Sequence, residues 1–117
     1  MEIRYEPRPG HLLVVVSGPF DLGGAVGVVD EVKRRCATAG VANVLVDFRA
    51  IGDVVSIADR YELGKIIAAA RLPGRIAILV AAGQRKTATL EDTAVNRGAA
   101  VRTTDSEAEA RAFLGLA

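Results

Sequence analysis

The chain has 117 residues, of which half are apolar and a quarter are charged. This length and composition predict one globular domain over residues 1–117, large enough to bury a core without disulfides or a metal. Fifteen Lys and Arg oppose fourteen Asp and Glu. Because the positive and negative charges nearly balance, the composition argues against a nucleic-acid partner and against an anionic membrane surface.

The cellular compartment is inferred from the single cysteine and from the apolar runs. Cys36 has no second cysteine to pair with, which favours a reducing environment. Residues 1–5 lack the apolar core of a signal peptide. The apolar runs 12–16 and 76–82 are too short to cross a bilayer. We therefore expect a cytoplasmic protein without an integral membrane segment.

The first elements are a hairpin and a helix. Residues 2–6 and 11–17 read as strands, and the prolines and glycine of 7–10 predict the turn between them. From Asp21 the apolar period becomes helical, and Gly40 is a natural stop. The residues expected to face the core are Ala25, Val29, Val32 and Cys36.

A buried strand and a second helix follow. The apolar run within 43–48 is typical of a strand covered on both faces. Ser56 with Asp59 three residues later resembles a capping box, which predicts a helix from there to about Arg71. The pattern predicts that this helix buries Tyr61, Leu63, Ile67 and Ala70.

The last third of the chain repeats the alternation of strand and helix. A strand at 75–82 precedes a helix capped by Thr87 or Thr89, and a short strand at 100–103 precedes a final helix. Leu90, Ala94 and Val95 are expected to face inward on the third helix. The order β-β-α-β-α-β-α-β-α predicts an α/β fold with a single mixed five-stranded sheet, parallel except for an antiparallel strand at the N-terminal edge.

We find no motif that indicates catalysis, a cofactor or a metal. The glycines of 18–24 lack the lysine and hydroxyl of a phosphate-binding loop. Cys36 lies on an apolar helix stripe, which favours packing over reactivity. His11 is the only histidine, and the aspartates at 47, 53 and 59 fit no calcium loop. We therefore expect no catalytic residues, no cofactor and no metal.

Polar residues at the carboxyl ends of strands are the candidate ligand-binding residues. Open α/β sheets usually bind ligands there, and cations after the third and fourth strands would suit an anionic group. The alternative is a solvated basic loop. The candidates are Arg49, Asp53, Arg60, Arg85 and Lys86.

Four segments resemble those of a known family, at residues 44–49, 59–64, 75–80 and 96–102. In order and spacing they are similar to SpoIIAA-like (STAS-type) bacterial domains, whose fold is related to the lipid-carrying CRAL-TRIO domains. The resemblance implies βα-superhelix connections and no established enzymatic activity. Fold kinship alone does not assign a function.

In the antagonist branch of that family, a serine at the start of the second major helix is phosphorylated by a partner kinase. Ser56 falls in that region, but the surrounding acidic residue, second serine and glycine are missing, so a simple N-cap is the alternative. The resemblance thus leaves two hypotheses open. One is a non-enzymatic domain that binds a small, partly apolar or anionic ligand or lipid. The other is a protein-interaction regulator similar to an anti-sigma-factor antagonist, with Ser56 as a degraded phosphosite. A homodimer is compatible with both.

Overall fold

The computed structural model describes residues 1–51, 55–84 and 88–116. The strands are β1 Glu2–Arg8, β2 His11–Gly18, β3 Val44–Ile51, β4 Ile76–Leu79 and β5 Val101–Thr104. The helices are α1 Leu22–Ala39, α2 Ile57–Ala70, α3 Thr89–Asn96 and α4 Glu107–Phe113, with a short 3-10 turn at Ala82–Gln84. The predicted order of elements and the α/β class are confirmed.

The five strands form one sheet in the order β1-β2-β3-β4-β5, antiparallel between β1 and β2 and parallel elsewhere. The predicted four-residue turn is wrong, because β1 continues through Pro7 to Arg8, which pairs with His11. An edge strand tolerates the proline, since one side of the strand needs no ladder hydrogen bond. Only Pro9 and Gly10 turn, and Gly10 has the positive φ of 81° that the third residue of a type II turn requires.

Helices cover the sheet unequally. Successive parallel strands with right-handed crossovers place α1, α2 and α3 on one face. There Val44, Ile76 and Ile78 pack against buried residues of the three helices. On the other face, Leu45 and Leu79 pack against α4. Because α4 contacts β4 and β5, the polar face of β1 to β3 is left open on that side.

Helix α1 follows the predicted pattern. Asp21 caps it by accepting a hydrogen bond from the Gly23 N–H at 3.1 Å, and Gly40 ends it in the left-handed conformation. Ala25, Val32 and Cys36 are buried, as expected. The buried face of this helix forms the wall of the core beside β2.

Two details of the predicted helices are wrong. The N-cap of α3 is Ala88, without a side-chain hydrogen bond, so Thr89 is the first helical residue and not the cap. Val95 is exposed because it lies on the side of α3 turned away from Leu90 and Ala94. The other predicted cap, Thr87, lies outside the described residues.

Candidate functional site

The N-terminus of α2 is built around Ser56. Its backbone is extended (φ −62°, ψ 157°), and its Oγ accepts a hydrogen bond from the Asp59 N–H at 3.1 Å. Its carbonyl accepts the first helical bond, from the Arg60 N–H at 2.9 Å. Ser56 is exposed to solvent. The hydroxyl therefore caps the helix and remains accessible.

Two large apolar side chains next to this cap face solvent. Ile57 is 61% exposed and Tyr61, one turn later, is 42% exposed. The prediction that Tyr61 is buried is wrong, because the core-facing side of α2 is formed by Leu63 and Ile67. We call the surface formed by Ser56, Ile57 and Tyr61 the α2 patch.

Cations hold the ring of Tyr61 in place. The Arg97 Nη2 donates a hydrogen bond to the Tyr61 hydroxyl at 3.3 Å, and Lys65 Nζ lies 5.2 Å from the ring centroid. An aromatic ring fixed between two cations presents a rigid contact surface at low entropic cost, since its rotamer is already restricted.

Two of the predicted ligand-binding arginines, Arg49 and Arg60, lie on opposite sides of the sheet. Arg60 belongs to α2, on the three-helix face, and is only 8% exposed with an interaction of its own. Arg49 belongs to β3 and pairs with Asp47 of the same strand. Asp47 is the register partner of Leu79 in β4, which packs on the α4 face, so both lie on that side of the sheet. Asp53, Arg85 and Lys86 lie outside the described residues. A joint anion site made of these five residues therefore stays a prediction.

Arg49 already binds a carboxylate within the chain. Its Nε and Nη2 donate to the two oxygens of Asp47 at 3.0 and 2.9 Å, a bidentate pair. These hydrogen bonds hold the pKa of Asp47 below its ordinary value, although partial burial opposes them. An external anion would have to compete with Asp47 for this guanidinium.

Cys36 and His11 are the candidate nucleophile and base of this chain, and both are buried. Cys36 is buried, and burial raises the pKa of its thiol. The Nδ1 of His11 lies 3.2 Å from the Pro9 carbonyl oxygen, which favours an N–H at that position. Among the described ranges, no group of three or more His, Cys, Asp or Glu side chains is arranged to hold a metal ion.

No family model matches this chain, and no curated protein matches it in sequence. It superposes on an anti-sigma factor antagonist from Mycobacterium paratuberculosis with a TM-score of 0.62 and 16% identity, over 97% of this chain and 93% of the other. It also matches the protein TM1081, with a TM-score of 0.53, 14% identity, and coverage of 98% and 90%. The fold is SpoIIAA-like.

Within the SpoIIAA-like fold, the apolar face of the sheet leaves a small cavity beneath α1 and α2. Its volume is about 60 Å³, and its lining is apolar, with Phe20 and Phe48 among the walls. A cavity of about 150 Å³ is known to stay dry and to hold a single benzene. The cavity here is thus too small for an acyl chain without movement of its walls.

The SpoIIAA-like fold also carries a groove that the sequence analysis missed. It lies between the C-terminal half of α2 and the residues that lead from α3 into β5, and its volume is about 650 Å³. Its cations are Lys65, Arg71 and Arg97, and its lining includes no carboxylate. The pattern that could have indicated the groove is an arginine at the C-terminal end of each of two successive helices, Arg71 after α2 and Arg97 after α3.

None of the helices in the described part of the chain has the length and apolar character needed to cross a membrane.

Proposed function

We propose that this chain is a regulatory protein-interaction domain, similar in role to an anti-sigma factor antagonist, and that it binds its partner through the α2 patch. The observation that carries the proposal is Ile57, a large aliphatic side chain 61% exposed beside an accessible helix cap. Exposed apolar groups next to a rigid aromatic ring are typical of binding surfaces. The fold-level likeness to an anti-sigma factor antagonist supports the same assignment.

The proposal includes the absence of catalysis. Its support is that the thiol of Cys36 is buried with a raised pKa, which disfavours the nucleophilic thiolate. The ring of His11 is 5% exposed and its Nδ1 faces the Pro9 carbonyl. Neither group is placed as an activated nucleophile or an exposed general base.

In this proposal Ser56 is first a helix cap and only secondarily a phosphosite. A phosphate there would be favoured by the N-terminus of α2 but opposed by the carboxylate of Asp59 in the first turn. The same charge would stand beside Ile57 and oppose its burial in an apolar pocket of a partner. Modification would therefore weaken binding through the α2 patch.

The test uses a photo-crosslinking residue in place of Ile57, in cells that express the protein natively. The control carries the same crosslinker in place of Val26, an exposed valine of α1. We expect position 57 to capture a specific protein that position 26 does not. With that protein purified, Ile57→Ser should weaken binding by roughly ten- to a hundredfold, since burying an isoleucine is worth roughly 1.5–3 kcal/mol. Val26→Ser should leave binding unchanged.

Two results would refute the proposal. One is capture of the same proteins from positions 57 and 26. The other is a partner that binds the Ile57→Ser variant as tightly as the wild type. The Ser56→Ala variant and the intact mass of the natively expressed protein test the phosphosite separately.

A second candidate function rests on the apolar cavity. A small apolar molecule would fill the space lined by Phe20 and Phe48 and would stabilise the fold by binding the native state. We expect an apolar compound smaller than benzene to raise the melting temperature and a long-chain fatty acid to leave it unchanged. A comparable rise with the fatty acid would show instead that the cavity opens to lipid.

A further inference from the structure

The groove between α2 and α3 concentrates positive charge in a protein whose net charge is close to zero. The whole chain has a formal net charge of +1. The groove nevertheless brings three cations, Lys65, Arg71 and Arg97, to one surface whose lining contains no carboxylate. Along α2, which spans 14 residues, Lys65 lies about 14 Å and Arg71 about 22 Å from Ser56.

The three cations are weakly compensated by the chain itself. Arg71 makes no hydrogen bond or ion pair through its side chain with the residues that the structure describes. Lys65 approaches Glu62 only at 3.5 Å, and both side chains are well exposed, so this pair contributes little. Arg97 uses one nitrogen on the Tyr61 hydroxyl, which is uncharged.

The position of Arg71 is costly for an arginine. It ends α2 in the left-handed conformation, with a φ of 51°. Among the residues that the structure describes, every other residue with a positive φ is a glycine. Glycine is the usual residue at such a helix end because it adopts this conformation without steric strain. A cation at a helix C-terminus gains some favourable dipole interaction, but that gain does not require a left-handed position.

We infer that this groove binds an acidic peptide segment of a partner protein. The cations are exposed, so a single small anion would gain little from each of them. A peptide would set several carboxylates against them at once and would also cover small residues that line the groove, Ala68, Ala99 and Ala100. Tyr61, held by Arg97 and Lys65, stands at the edge of the same surface and is a residue type favoured at interface centres.

This inference goes beyond the proposed function, because the groove lies at the C-terminal end of α2, whereas Ser56 and Ile57 lie at its N-terminal end, and the two surfaces meet only at Tyr61. The variants that test the two surfaces are therefore different. Ile57→Ser removes the apolar contact of the α2 patch, while Arg71→Gly and Arg97→Gln remove cations of the groove. Arg71→Gly also suits the backbone, so its melting temperature should not fall below that of the wild type.

The experiment is a titration of the isotope-labelled protein, followed by NMR, with a short acetylated peptide in which glutamate alternates with leucine. A matched peptide carries glutamine in place of every glutamate. We expect the amide signals of Lys65, Gly98 and Ala99 to move with the glutamate peptide, and its affinity to fall as salt is raised. The Arg71→Gly, Arg97→Gln double variant should bind about tenfold more weakly.

The controls separate the groove from general charge and from the α2 patch. The Lys33→Gln, Arg34→Gln variant removes two cations from α1, outside the groove, and should bind the peptide as the wild type does. So should Ile57→Ser. Equal binding of the glutamine peptide, or an equal loss in the α1 variant, would overturn the inference while leaving the proposed function standing.

Discussion

At the scale of single residues, Ser56 combines a structural role with exposure. Its Oγ satisfies the Asp59 N–H, one of the backbone donors that a helix start leaves without an intrahelical partner. The same hydroxyl is accessible to solvent and lies beside Ile57. Any change at position 56 therefore affects the stability of α2 and the chemistry of its exposed end together.

A pair of substitutions separates those two effects. We expect Ser56→Ala to lower the free energy of unfolding by about 1 kcal/mol, because the cap is lost. Ser56→Asp keeps an acceptor at the cap and adds a charge that the helix N-terminus favours, so its stability should stay within about 0.5 kcal/mol of the wild type. Urea unfolding followed by circular dichroism measures both. An equal loss in the two variants would show that Ser56 does not act as a cap.

At the scale of elements, the approach of α2 to α3 depends on the absence of one side chain. A Cβ at Gly64 would lie 2.8 Å from the Leu90 carbonyl oxygen and 2.8 Å from Thr93 Cβ. The two helices therefore meet backbone to backbone at this point. This close approach also brings Arg97 of α3 within reach of Tyr61 on α2 and so shapes one edge of the groove.

Two glycine-to-alanine changes with opposite outcomes test this packing. Gly64→Ala should destabilise the protein by about 1–3 kcal/mol, because the added methyl forces the helices apart. Gly27→Ala in α1 is the control, since its Cβ would meet nothing within 4 Å. It should stabilise the protein by about 0.5–1 kcal/mol through helix propensity alone. Thermal unfolding of both variants gives the comparison, and stabilisation of the Gly64 variant would contradict the close contact.

At the scale of the whole molecule, charge is distributed as local ion pairs on several surfaces and as a weakly compensated cluster of three cations at the groove. The Arg49 guanidinium lowers the pKa of Asp47, and hydrogen bonds from Arg34 and Arg35 lower the pKa of Glu31. Each carboxylate is thus easier to protonate in the unfolded chain than in the fold.

The expected homodimer stays a prediction, to be tested by the concentration dependence of the molar mass in solution.

The sign of the pH dependence follows from those two lowered pKa values. Their contribution is present above the ordinary carboxylate pKa of about 4, and it is lost as pH falls through the lower values of the folded state. We expect stability to decline between about pH 4 and pH 2, with Asp47 contributing less than about 1 kcal/mol because its pair is partly exposed. Asp47→Asn should lessen this decline. Asp30→Asn, which removes an exposed carboxylate of α1, should not.

The sequence by itself determined the class of fold and the order of elements. Period-two and helical apolar patterns depend on short-range geometry, and strong stops such as Gly40 and the cap at Ser56 act within one turn. Even the antiparallel edge followed from a short hairpin. The error at Pro7 arose because a proline is tolerated only at an edge, and the edge position of β1 belongs to the assembled sheet.

Tertiary structure alone decided which surfaces remain open. Tyr61 and Val95 fit an inward helical pattern, yet both are exposed. The residues that pack into the core are Leu63 and Ile67 on α2 and Leu90 and Ala94 on α3. The groove joins Lys65 and Arg71 of one helix with Arg97 of the next, a meeting set by the contact at Gly64. Apolar periodicity specifies that a helix has a buried side. How far that side extends, and which exposed residues come together, depends on how the neighbouring helices pack.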